Sequence, residues 1–198
     1  NMVHEFARTA ENQFLIGTPG QTSFWWAGMG SFMSVGGTRG FTSDAGGYAV
    51  GMQHAFTESF RAGVALGQMF GKFTSDDGQL RTDQTSTMPA FTAQYVTQLD
   101  NSSSIGISGH VAYGQVTNEA KTYQTGTSGK AEWDDNVVNV GVRATWNKQV
   151  TSTTCVSLFT GLSYQNVQQD SFREKFTDGV RDYRDGKMSS LSIPLGVT

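Results

Sequence analysis

The sequence predicts an all-β fold, an antiparallel up-and-down transmembrane β-barrel preceded by a short N-terminal helix. Three observations lead to this prediction. Beyond Gln21, apolar side chains recur at every second residue, which is the period of a β-strand. The opposite face holds mostly glycine, alanine, serine and asparagine, whereas the second face of a soluble sheet is usually charged. Short and long polar connections alternate, as they do at the two ends of an outer-membrane barrel.

Composition agrees with this fold and excludes some functions. The 24 glycines and 13 phenylalanines in 198 residues are unusual for a soluble helical protein. No stretch approaches the run of about 20 apolar residues that a membrane helix needs, but a barrel strand shows lipid only every second residue. With 14 basic and 17 acidic residues, the charge balance gives no indication of a nucleic-acid partner.

The first element is a helix. Apolar residues recur there at helical spacing, namely Val3, Phe6, Ala7, Ala10 and Phe14. Gly17 and Pro19 then end the pattern. We therefore predict a helix over Met2 to Ile16, within an N-terminal unit of residues 1–20, and a barrel domain over residues 21–198.

About eight strands follow, read from the alternation of side chains. Six of them alternate cleanly, and the first and fourth are less regular. The apolar run from Tyr48 to Phe56 would span roughly 21 Å along the membrane normal at a tilt of about 40°, close to the apolar band of a barrel. The predicted strands are 22–34, 47–56, 60–71, 85–99, 105–114, 138–146, 155–164 and 190–197.

The connections between these strands fall into two classes. Short ones lie near residues 57–59, 100–103 and 147–151. Long polar ones lie near 36–44, 74–84, 118–134 and 166–187. A soluble sandwich or lipocalin-like barrel also alternates, but it has no reason to place short and long connections in strict turn. We expect the short turns in the periplasm and the long loops at the cell surface.

Aromatic residues fall near the ends of the predicted strands, which favours a membrane girdle at each interface. Three of them flank the short turns and four lie toward the long connections. The predicted girdle residues are Phe56, Phe60, Trp146, Tyr48, Phe70, Tyr113 and Tyr164.

The order of these elements resembles an autotransporter β-barrel translocator domain of type V secretion. The resemblance lies in the helix, the tryptophan-bearing first strand FWWAGMGSF, the glycine-rich hairpin GGYAVGMQHAFTESFRAGVALGQMFGKF and the late segment LSIPLGV. It implies a translocator and anchor in the bacterial outer membrane that exports or displays an N-terminal passenger through its barrel. The implied partners are outer-membrane lipid, the passenger and the barrel assembly machinery.

The chain departs from the family in its number of strands. The family's barrel has about twelve strands. We therefore expect an incomplete barrel here, with the strand at Leu191–Val197 pairing beyond this segment rather than with the first strand. An eight-stranded interior is just wide enough for side chains, so the helix either lies elsewhere or needs more strands to enclose it.

Two arginines stand out on the predicted inner face, where charges are scarce. Arg61 and Arg143 could form ion pairs with Glu5 and Glu11 of the helix and anchor it in the pore. The alternative is that both arginines simply line a wet channel.

The sequence offers no catalytic, cofactor-binding or metal site. No acid is placed beside His54 or His110 to make a general base. The spacing of Asp76, Asp77 and Asp83 does not match a calcium-binding hand. The runner-up to a translocator is a small outer-membrane adhesin that binds through its long loops.

Overall fold

The computed structural model describes residues 2–12, 18–37, 40–124, 126–151 and 154–197. Within them lie one helix and eleven strands, all of the strands in one antiparallel sheet. No helix in these ranges is long and apolar enough to cross a bilayer. The elements are α1 (Met2–Asn12), β1 (Thr22–Val35), β2 (Phe41–Ala55), β3 (Phe60–Ser75), β4 (Leu80–Asp100), β5 (Ser103–Gln124), β6 (Thr127–Gln149), β7 (Cys155–Gln169), β8 (Phe172–Phe176), β9 (Gly179–Tyr183), β10 (Gly186–Ser192) and β11 (Leu195–Val197).

The main sheet is an up-and-down meander in which β1 to β7 pair in chain order and β10 follows β7. Strands β10 and β11 both pair with β7 in the same register, as Ser192 opposite Ser163 and Leu195 opposite Thr160. Pro194 separates them because it has no N–H to donate, although its carbonyl still accepts from Gly161 N at 3.1 Å. Together β10 and β11 form the predicted eighth strand, which confirms the all-β up-and-down fold.

Three of the four segments interpreted as long loops, 74–84, 118–134 and 166–187, are largely strands, so that interpretation is wrong for them, whereas in 36–44 strand structure covers only Phe41 to Asp44. Strands β5 and β6 stay paired until Gln124 faces Thr127, and β3 and β4 continue to a turn in which Gly78 has φ +69°. The apolar alternation stops earlier because these extensions pass beyond the outward apolar band. Backbone hydrogen bonds keep a polar hairpin paired even where the apolar alternation has ended.

The last of these segments, 166–187, holds the hairpin of β8 and β9. It extends the β7–β10 hairpin in the same register, from Phe172 opposite Tyr183 to Phe176 opposite Gly179. Strand β8 also pairs with β6, but with one extra residue relative to the β6–β7 ladder. Such a bulge reverses the alternation of side chains. It turns Glu174 toward the inner side of the sheet.

The two faces of the sheet differ as the alternation predicts. Large apolar side chains such as Trp26, Leu66 and Val140 are exposed on the outer face, whereas the buried residues of the inner face are mostly small or polar. The sheet does not close in the part of the chain that is described, because β1 pairs with β2 alone and not with β10 or β11. The expected absence of pairing between the first and last strands is confirmed.

Candidate functional site on the inner face

Helix α1 lies against the inner face of the sheet and contacts β1 to β6. Its apolar residues Val3, Phe6, Ala7 and Ala10 are buried in one cluster with side chains of the sheet. We call the part of the inner face that receives them the helix seat. It consists of Ala49, Ala65, Gly67, Met69, Met88, Ala90, Ala112 and Gly114.

Two glycines allow the closest contacts in the helix seat. A Cβ atom at Gly67 of β3 would lie 2.6 Å from Cδ2 of Phe6, and one at Gly114 of β5 would lie 2.3 Å from Cγ2 of Val3. Both distances are too short for real atoms. Phe6 and Val3 are fully buried in these places, so the absence of two side chains on the sheet sets how closely the helix approaches.

Polar side chains bound the helix seat along β5. On the N-terminal side of the helix seat along β5, Nε2 of His110 donates to Oδ1 of Asn139 at 2.7 Å. On its C-terminal side, Asn118 accepts a hydrogen bond from Gln84 at 2.8 Å and donates one to Asp135 at 2.8 Å. Between these groups the inner face of β5 presents only Ala112, Gly114 and Val116. The helix seat is therefore a limited apolar area within a polar inner face.

The sequence profile of the autotransporter β-domain matches residues 24–198. The chain belongs to the autotransporter β-domain family. Among solved structures, the translocator domain of the autotransporter NalP from Neisseria meningitidis is similar in fold, with a TM-score of 0.83 at 14% identity. That match covers 99% of this chain and 67% of the NalP chain. No curated protein matches the sequence.

Family membership confirms the predicted function of an outer-membrane translocator domain. This autotransporter β-domain is a translocator domain of the bacterial outer membrane, and a passenger domain is the general partner of such domains. The match does not favour the small adhesin that was the alternative.

The structure describes the side chains of two of the four charged residues that were predicted in the lumen of the autotransporter domain. Arg61 and Arg143 are half-buried on the inner faces of β3 and β6. The guanidinium of Arg143 lies 4.1 Å from the ring centroid of Phe159, an aromatic residue of β7. The side chains of Glu5 and Glu11 fall outside the described residues, and the ion pairs stay a prediction.

Six of the seven predicted girdle residues are exposed on the outer face, and Trp146 is half-buried. Phe56 and Phe60 lie together beside a short turn, with ring centroids 5.7 Å apart. Tyr48 lies toward the opposite end and donates a hydrogen bond to Gln68 at 2.6 Å. The positions suit a girdle, which stays a prediction.

Sequence reasoning missed the inner aromatic of the first strand. Trp25 and Trp26 are neighbours in the sequence, but Trp26 is 80% exposed on the outer face while Trp25 contacts the buried cluster. The ring of Trp25 lies over Gly51 of β2, where a Cβ would come within 2.5 Å of Cε2. The pairing of an inward tryptophan with a glycine on the next strand was the available signal.

Proposed function

We propose that this translocator domain holds α1 in the lumen and that the chain it carries is exported or displayed through that lumen. The observation that supports the proposal most directly is the helix seat. Val3 and Phe6 lie where the inner faces of β5 and β3 carry a glycine and therefore no side chain. A helix held only by charge in a wet channel would need no such matched surface, since packing of this kind depends on shape.

The outer face supports contact with outer-membrane lipid. Its mid-strand residues are large and apolar, as in Leu66 of β3 and Phe91 of β4, and both are more than half exposed. In water such a surface would be costly, but it matches the hydrocarbon of a bilayer. The polar hairpin extensions at the opposite end from the 101–102 turn would then stand at the cell surface.

The same proposal assigns the remaining roles. Residues 1–20 act as the pore unit and residues 21–198 as the barrel unit, and the barrel assembly machinery inserts the domain. The domain carries no chemistry of its own. In support, Nε2 of the buried His110 bonds to the amide oxygen of Asn139.

A disulfide can test the position of α1. An ideal Cβ at Gly114 lies 3.6 Å from Cβ of Val3, within the range that a disulfide needs. Val3→Cys with Gly114→Cys, in a Cys155→Ser background, should form a disulfide in protein taken from outer membranes. The measurement is the shift in gel mobility of the denatured chain with and without reductant.

The matched control pairs Val3→Cys with Gly106→Cys. Gly106 lies on the inner face of the same strand, but its neighbour is Val96 of β4 rather than the helix, so no disulfide should form. Equal cross-linking of both pairs, or of neither pair in a correctly folded protein, would contradict the proposed seating of α1.

A further inference from the structure

A cleft of about 490 Å³ opens at the polar end of the sheet, and it shares no lining residue with the helix seat. We call it the rim cleft. It forms where the β8–β9 hairpin turns inward over the extensions of β3 to β6. Its principal lining residues are Phe73, Leu80, Trp133, Phe172, Glu174 and Tyr183.

One wall of the rim cleft is a stack of three aromatic rings. Phe172 of β8 stacks on Trp133 of β6 with centroids 4.5 Å apart and planes 19° apart. Its other face stacks on Tyr183 of β9, also at 4.5 Å, with planes only 9° apart. The three rings come from different strands, and the bulge that turns β8 inward brings them together. Because both faces of Phe172 are covered, the stack offers a ligand its ring edges and the outer faces of the two end rings, Trp133 and Tyr183.

A carboxylate lies beside this surface. Glu174 is only 6% exposed, which is rare for a glutamate without partners. Its Oε1 accepts from the hydroxyl of Thr122 at 2.7 Å, and its Oε2 accepts from the hydroxyl of Tyr183 at 2.9 Å. The bond to Glu174 raises the pKa of Tyr183 above its ordinary value, so the phenol stays protonated at neutral pH.

The carboxylate of Glu174 keeps capacity for further partners. An ionised carboxylate offers about four acceptor positions, and the two protein hydroxyls use two of them. Arg181 faces Glu174 across the β8–β9 ladder and also lines the rim cleft. Asp77 and Gln79 add an acceptor and an amide from the turn between β3 and β4. Donors and acceptors are thus set around the aromatic stack, and the charged groups among them are two carboxylates and one guanidinium.

We propose that the rim cleft binds an uncharged saccharide. A sugar ring has a flat C–H face that packs on aromatic rings and an edge of hydroxyls that bond to carboxylate, amide and guanidinium groups. The volume falls within the range of small-ligand sites, roughly 300–1,000 Å³. Two carboxylates beside one guanidinium do not favour an anionic ligand, and a single excess negative charge does not favour a polycationic one. A peptide would gain most from a free strand edge, whereas the wall here is built of side chains on the sheet's face.

Saturation-transfer NMR on the full-length protein in detergent tests the proposal, with glucose, galactose, mannose and N-acetylglucosamine as probes. At least one sugar should receive saturation from the protein. Glu174→Gln keeps the shape of the side chain but removes its charge, and it should weaken binding about tenfold. Trp133→Ala removes an end of the aromatic stack and should abolish the signal.

Glu132→Gln is the matched control, because Glu132 neighbours Trp133 on β6 but is exposed and pairs with Lys130 at 2.8 Å. It should bind sugar as the wild type does. Heat-dependent gel migration verifies that each variant is folded. If Trp133→Ala does not fold, the result for Glu174→Gln tests the proposal. No signal from any of the four sugars, or a signal that Glu174→Gln leaves unchanged, would overturn the proposal. Neither result bears on translocation, since the helix seat lies elsewhere on the sheet.

Discussion

Gly67 and Gly114 decide how α1 fits the sheet at the scale of single residues. Neither glycine has a positive φ, so each stands in ordinary extended backbone that any residue could adopt. What they provide is space. The rings and methyl groups of Phe6 and Val3 occupy the volume that a Cβ would fill. Small residues that line a lumen can therefore form a specific contact surface for the helix, in addition to widening the channel.

Gly67→Ala should destabilise the folded domain by about 1–3 kcal/mol, because the added methyl overpacks against the ring of Phe6. In a Phe6→Ala background the same change should cost much less, since the ring is gone. The measurement is a double-mutant cycle of the free energy of unfolding in lipid vesicles. Gly28→Ala serves as the control, because a Cβ at Gly28 meets nothing within 4 Å. Additive costs for Phe6 and Gly67 would show that the two do not touch.

Each long strand combines two environments at the scale of the element. Strand β6 covers 23 residues, roughly 78 Å at about 3.4 Å per residue, far more than an apolar band of about 25 Å requires. Only the stretch around Val138 to Val142 alternates between large apolar and small residues. The rest continues as a polar hairpin, where cross-strand pairs such as Lys130 with Glu119 at 3.4 Å lie on the outer side.

Arginine in the apolar stretch tests which face meets lipid. Val140→Arg places a charge on the outer face and should cost about 2–4 kcal/mol in the free energy of folding into lipid vesicles. Ser157→Arg, on the half-buried inner side of β7, should cost clearly less because the charge stays in the wet lumen. Denaturant titration of both variants measures the difference. Equal costs would contradict the assignment of the faces.

The two ends of the sheet differ at the scale of the whole molecule. One end carries short turns, including 56–59 and 101–102, and the other carries the polar hairpins and the β8–β9 extension. The tips of two of these extensions meet, since Ser128 N donates to Oγ1 of Thr177 at 3.3 Å. In an autotransporter β-domain the extended end is the one that we expect at the cell surface.

Cysteine labelling of intact cells tests this orientation in a Cys155→Ser background. Asp178→Cys, at an exposed hairpin tip, should react with a reagent that cannot cross the outer membrane. Asn101→Cys, at an exposed short turn, should react only after the cells are lysed. The readout is the mass shift of the chain on a gel. Labelling of position 101 but not 178 in intact cells would invert the topology.

The sequence by itself determined the all-β meander, the position of most strands and the face of the side chains within the predicted strands. Alternation with period two is a local property of each strand. It assigns the apolar side chains to one face of the sheet, and that face must meet an apolar environment wherever the strand lies. The sequence also indicated the helical spacing of Val3, Phe6, Ala7, Ala10 and Phe14. The first four are buried in α1, and Phe14 lies outside the described residues.

Only the tertiary structure decided what these elements meet. The contact of Phe6 with Gly67 joins residues far apart in the chain, and no local pattern specifies it. The polar extensions were mistaken for loops because backbone pairing, not side-chain hydrophobicity, holds them together. The rim cleft depends on one extra residue in the β7–β8 arm, which reverses the direction of Phe172 and Glu174. A bulge depends on the partner strand, so a single strand's sequence does not reveal it.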